Sequence, residues 1–350
     1  ARETQVLTLN VLSAMQLYGS LAALGIEYVV DPNSAFASVS QDSRTVDYVR
    51  FPTETLSQRA GDCDDLSVLF ATLLESVGVH TAFITTPGHL FMAFDTGIPV
   101  AHAEQLYESP ADLIDHDGTA WMPVETTLLA EGFTRAWQVG ALQWRQAGEN
   151  GVAGFFTTRD AWSLYPPVGA PVREEAPDAD IATVVDMTSR ELDRFRRLEL
   201  DPKLRRAGTV DPATASPADH NRLGILFARY GLAERASARF EAAARADYVP
   251  ALINQANLLS AMGDHDDARG YLERARSIDP ENPRILMGLA FSYWESGARD
   301  DARGTYEAAS RISPALAREY PLFTGDPGTV EPDARAGATR PSIFSDWQSE

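Results

Sequence analysis

The chain has 350 residues, a formal charge of −20 and 44% hydrophobic residues. That length suggests two domains or three, with enough apolar content for real cores. The charge argues against nucleic acid and against an anionic membrane surface, because both would repel it. No apolar run approaches the roughly 18 residues of a membrane span, so no membrane insertion is expected.

Residues 4–24 read as an amphipathic helix through Val6, Leu9, Leu12 and Leu17. Glu27–Pro32 looks extended and enters a turn. Asp62–Gly78 is the clearest helix of the first half: Leu66, Leu69, Phe70, Leu73, Leu74 and Val77 form one stripe, and Gly78 stands where a terminating glycine belongs. Strand-like runs follow at Thr81–Thr85 and His89–Phe94, joined by the turn signature Thr86-Pro87-Gly88. Another run, Ala120–Glu125, follows the turn-like Asp115-His116-Asp117-Gly118. A helix followed by antiparallel strands indicates an α+β domain, which closes around Trp162–Pro167.

Residues 168–180 are rich in Pro, Ala, Asp and Glu and read as a linker, and 181–199 as a charged connecting helix. A repeat then appears. Gly231, Gly263 and Gly297 are 32 and 34 residues apart; Ala236, Ala268 and Ala302 keep that spacing, as do Phe240, Leu272 and Tyr306. Each unit reads helix, Gly-containing turn, helix. This resembles the tetratricopeptide repeat, in three units over 217–316, although the first is two residues short and has Tyr248 where the others have Pro280 and Pro314. The resemblance implies a concave face that receives a protein or peptide partner. Asn221, Asn254, Asn257 and Arg284 fall at first-helix positions that would line it. The Pro-, Gly- and Asp-rich tail, 317–350, ends in Ile343-Phe344-Ser345-Asp346-Trp347, apolar residues that suggest docking back onto a groove.

The single cysteine, Cys63, excludes an internal disulfide and a multi-cysteine metal site. It starts a helix, a position that lowers a thiol pKa, and no Gly-x-Ser-x-Gly motif competes with it as nucleophile. His89 opens a strand 26 residues later, and Glu125 ends another; a thiol needs a base, and a base needs an orienting partner. Set against this are a buried cysteine, an edge histidine and a solvated glutamate with no joint role. Gly61-Asp62-Cys63, Gly78, His89 and Trp121-Met122-Pro123-Val124-Glu125-Thr126 together resemble the transglutaminase-like superfamily, over residues 45–130 and more loosely 1–165. The usual acid there is aspartate, one methylene shorter than Glu125.

That resemblance implies a papain-like core over 1–167, with Cys63 as nucleophile, His89 as base and Glu125 as its orienter. No cofactor is implied. The backbone N–H of Cys63 would serve the oxyanion, with Gln58 as a further candidate. Bacterial-looking members are often proteases or amidases. Against activity stand Asp62, Asp64 and Asp65, whose charges disfavour a thiolate if they face it. The alternative is a non-catalytic binding or scaffolding module. The start Ala1-Arg2-Glu3 suggests a processed or excised form, periplasmic or secreted if cut from a longer precursor. The expected organisation is therefore an α+β transglutaminase-like domain (1–167), a linker and connecting helix (168–216), three helical repeats (217–316) and a tail (317–350).

Overall fold

The computed structural model describes residues 6–30, 49–168, 179–207, 214–320 and Trp347. The described residues divide into two compact units, one over 6–206 and one from 207 onward. Among the described residues no helix is long and apolar enough to cross a membrane.

The first unit opens with α1 (Leu9–Ala23), started by the Thr8 side chain, which accepts the Val11 N–H. A short parallel pair follows: β1 (Glu27–Tyr28) lies against β2 (Ala60–Gly61), setting Tyr28 beside Gly61. Between them is α2 (Pro52–Gln58), a helix that the sequence analysis did not give; it ends at Arg59 in the left-handed region. The apolar stripe predicted from Asp62 onward is α3 (Cys63–Ser76), with Asp62 as its cap.

Five strands make one antiparallel sheet in the order β5-β6-β4-β3-β7. They are β3 (Thr81–Thr86), β4 (His89–Pro99), β5 (Ile114–His116), β6 (Thr119–Val124) and β7 (Gly154–Thr157). Helix α4 (Val100–Leu106) connects β4 to β5. The predicted turn stands between β3 and β4, with Gly88 at φ +73°. β4 runs five residues past the predicted end. It is buried on both faces, so its hydropathy does not alternate cleanly. On one face Phe91 and Ala93 pack with Ala82, Ile84, Ile114 and Trp121. On the other, Phe94 meets Phe133, and Tyr18 lies edge-on to both Phe133 and Phe70 of α3.

The largest element missing from the sequence analysis is α5 (Phe133–Glu149). Its buried positions 133, 136, 137, 140 and 141 do have helical spacing, but three are Ala or Gly and give little hydropathy signal. After α6 (Thr158–Leu164) comes α7 (Ile181–Glu199), the helix expected as a connector. It packs along α1 within the first unit, where Thr188 and Met187 lie against Gly19. Glu191 is 6% exposed and accepts the Thr134 N–H at 3.0 Å, capping the start of α5. Glu199 accepts the Glu108 N–H at 2.6 Å, and burial pushes its pKa up to about 7. Helix α8 (Asp201–Ala207) follows.

The second unit is helical: α9 (Pro217–Arg229), α10 (Ala233–Ala244), α11 (Val249–Met262), α12 (His265–Ile278), α13 (Pro283–Glu295), α14 (Arg299–Ile312) and α15 (Pro314–Glu319). The repeated residues explain the pairing. Ala236, Ala268 and Ala302 are each fully buried, so paired backbones approach closely. Gly231, Gly263 and Gly297 sit at positive φ in the turns. The aromatic ring of Phe240 covers Gly224, where a methyl group would strike it.

Most of the tail lies outside the described residues, but Trp347 is placed. It is 9% exposed and stacks on Phe240, with centroids 5.8 Å apart and planes at 22°. Its indole Nε1 is buried without a hydrogen-bond partner among the described residues. The unmade bond costs on the order of 1–3 kcal/mol, against which the buried ring contributes its apolar area. Trp347→Ala is expected to lower the thermal midpoint of the repeat unit. Unchanged melting would show that this seat contributes nothing.

Candidate active site

Cys63 is the first residue of α3, so its backbone N–H is one of the donors a helix start leaves without an intrahelical acceptor. Its side chain is 6% exposed. The carbonyl of Cys63 accepts the Ser67 hydroxyl at 2.6 Å, and that hydroxyl also meets Thr126 Oγ1 at 2.9 Å. Ser67 thereby ties the first turn of α3 to the segment carrying the acid.

The structure brings the three predicted residues together. His89 opens β4 and Glu125 follows directly after β6. His89 Nε2 lies 2.6 Å from Glu125 Oε2. With Nε2 engaged, Nδ1 is the nitrogen left free to face the Cys63 thiol, whose charge acts on the imidazole. The ring is held flat against Phe91, its centroid 5.7 Å away. Burial alone would lower the His89 pKa, but the Cys63 and Glu125 contacts outweigh it and push the value up to about 10.

Glu125 is not a strand residue, as the sequence analysis had it. It caps the 3₁₀ turn Thr126–Glu131, and its Oε1 accepts the Thr127 N–H at 3.1 Å and the Thr127 hydroxyl at 2.7 Å. Its side chain is 2% exposed. Burial would raise its pKa, yet His89 and Thr127 hold it below the ordinary carboxylate value. The backbone of Glu125 is fixed too. Its N–H donates to Ala136 O at 3.1 Å, and its carbonyl accepts the Tyr18 hydroxyl at 3.1 Å.

Gly140 of α5 lets this happen. A methyl group there would lie 3.0 Å from the carbonyl carbon and oxygen of Pro123 and 3.1 Å from Glu125 N. These are backbone atoms that cannot turn aside. Gly140→Ala is expected to cost about 1–3 kcal/mol and to slow any reaction of Cys63 by displacing Glu125. Full stability in denaturant titration would show that α5 has slack at this point.

The three aspartates beside Cys63 do not face solvent: Asp62, Asp64 and Asp65 are 6%, 4% and 2% exposed. Their carboxylates come within 4.8 Å of one another. Most of their polar capacity is committed locally. Asp62 and Asp65 form a reciprocal capping box, and Asp64 Oδ1 accepts the Asp65 N–H at 2.8 Å. Asp65 also accepts the Arg50 N–H at 2.7 Å and pairs with its guanidinium at 2.5 Å. Burial raises the Asp65 pKa, and Arg50 pulls against that.

Gln58 lies exposed at the end of α2, and no hydrogen bond draws it to Cys63. Tyr28 was not foreseen. It is 43% exposed beside Gly61, and its pKa is raised first by burial, then by Cys63, Asp62 and Glu125. No motif marks it; the β1–β2 pairing brings it to the site. Of the expected peptide-holding residues, Asn221 and Asn254 are fully buried and joined across two helices, Asn254 Nδ2 donating to Asn221 Oδ1 at 2.8 Å. Asn257 is 5% exposed, and the Arg284 N–H donates to Asn282 Oδ1 at the start of α13.

Residues 259–318 match the tetratricopeptide-repeat family model. The match runs from the end of α11 into α15, and a repeat there supports a protein-binding role. Two solved structures of MamA are similar at 20% and 21% identity. Each match covers 39% of this chain, with 72% and 71% of the MamA chains, at TM-scores of 0.28. No curated protein matches the chain.

The raised His89 pKa has a consequence for stability. A histidine whose pKa rises on folding contributes stability that is complete below the unfolded value of about 6.5 and is lost as pH approaches 10. The denaturant midpoint of the first unit is therefore expected to fall between pH 6.5 and 10, and to fall less in His89→Gln. Parallel pH profiles for the two proteins would remove the assignment.

Proposed function

We propose that the first unit is a thiol hydrolase of the transglutaminase-like kind, acting on an amide or peptide bond through a thioester, and that the repeats recruit its protein partner. The observation that carries this is the His89 Nε2–Glu125 Oε2 contact at 2.6 Å, with the Cys63 thiol acting electrostatically on the same imidazole. That is the nucleophile–base–orienter chain which covalent acyl transfer requires.

In this reading the Cys63 thiol gives its proton to His89, and Glu125 holds the imidazolium in place. The sulfur attacks the carbonyl carbon, forming an S–C bond while the C=O electron pair moves to oxygen. The Cys63 N–H, freed from helix pairing, donates to that oxyanion. Collapse breaks the C–N bond, and the His89 proton leaves with the amine. Neutral His89 then takes a proton from water as it attacks the thioester, releasing the acid and restoring the thiol. An amine in place of water would give transfer; hydrolysis is favoured by resemblance.

A non-catalytic binding module is the second reading, favoured by the buried aspartates next to Cys63. Alkylation of Cys63 by iodoacetamide at pH 6 separates the two. An unassisted thiol, pKa about 8.5, is less than ~1% ionised there. His89→Ala is expected to slow alkylation at least tenfold and Glu125→Gln severalfold. Equal rates in all three proteins would favour the binding module.

A further inference from the structure

The second unit holds a cleft of about 550 Å³ between α10, α11 and α12. Glu241 stands on one wall and Asp266, Asp267, Gly270, Tyr271 and Arg274 on the other, with Gln255 and Leu259 between them. The cleft is acidic, and its one cation is already engaged. Arg274 donates through Nε to Asp247 Oδ1 at 2.8 Å and through its terminal nitrogen to Ala244 O at 2.6 Å. Arg269 takes Asp266 at 2.5 Å. Glu241 and Asp267 have no cationic partner among the described residues.

An independent observation points to a ligand. Gln255 is 2% exposed, and its amide donates to Ser237 Oγ at 2.9 Å. Its Oε1 is buried with no partner among the described residues. A buried acceptor left unmade costs on the order of 1–3 kcal/mol, so a donor arriving from the cleft would recover a real penalty. Tyr271 lines the cleft at the same place. Burial raises its pKa first, Glu241 and Asp267 add to this, and Arg274 opposes them.

We propose that this cleft binds the guanidinium of an arginine side chain on a protein partner. Two carboxylates and an amide oxygen give acceptors on several sides. A planar group with five donors can meet them together and lie against an aromatic ring, which a lysine ammonium cannot do. The inference rests on the protein-binding role of the repeats and is independent of the thiol chemistry.

The test uses the full chain and an acetylated tri-arginine amide, with tri-lysine and tri-citrulline as comparison probes, read by calorimetry at low salt. Tri-arginine should bind at least threefold tighter than tri-lysine, and tri-citrulline should not bind. The double variant Glu241→Gln/Asp267→Asn should weaken tri-arginine at least tenfold. Asp300→Asn/Asp301→Asn alters the net charge equally, at the matching helix start one repeat later, and should weaken it less than twofold. Equal losses in the two double variants would reduce the effect to overall charge and overturn the proposal, as would equal binding of tri-lysine or no binding of tri-arginine. Cys63 alkylation should be unchanged in both double variants, so failure of this site leaves the thiol reading untouched.

Discussion

The contact between His89 and Glu125 organises the first unit's site. Both groups are largely withdrawn from water, and a buried carboxylate without a partner would be costly. The imidazolium and the Thr127 donors meet that cost, and Glu125 is held low in pKa despite its burial. The rest of the local architecture serves this contact. β4 delivers His89, the end of β6 delivers Glu125, and α5 holds the Glu125 backbone through Ala136 and the bare backbone of Gly140. Glu191 of α7 in turn caps α5. A helix distant in sequence thus reaches the acid through one hydrogen-bonded element.

The parts of this that were legible in the sequence are those that use distinctive residues. α3 has a continuous Leu/Phe stripe, the β3–β4 turn has Pro-Gly, and the repeats have glycines and alanines in register. His89 and Glu125, which the structure sets in contact, could be named from their place and order relative to the single cysteine. What was not legible relies on small or ambiguous residues. α5 packs through Ala136, Gly140 and Ala141, positions that look inert in hydropathy. α7 was taken for a connector because charge covers most of its surface; its buried positions include Thr188 and Glu191, which no apolar pattern reveals.

The repeat residues show a similar limit. Asn221 and Asn254 have the type and position expected of peptide-holding groups, yet they bond each other inside the stack. Position on a first helix fixes the side of the stack but not whether a neighbour reaches the side chain first. The unpartnered acceptor lies on Gln255 instead, and the carboxylates near it come from second helices. Sequence register could not separate these cases, because all are polar residues at regular spacing.

The aspartates around Cys63 pose the sharpest electrostatic question. Three carboxylates beside a thiol oppose its ionisation if their charges act on it directly. Their geometry decides how far they do. Asp62 and Asp65 face the helix-start N–H groups and each other's backbone, where negative charge is stabilised, and Asp65 is further neutralised by Arg50. The same carboxylates weaken the positive field that α3 would otherwise offer the sulfur. Under the proposed function the thiol would rely on His89 rather than on the helix, and His89 on Glu125. If the proposed function holds, nearly all acid–base control falls to that one side-chain pair, and reaction at Cys63 should be far more sensitive to it than to the helix that carries the thiol.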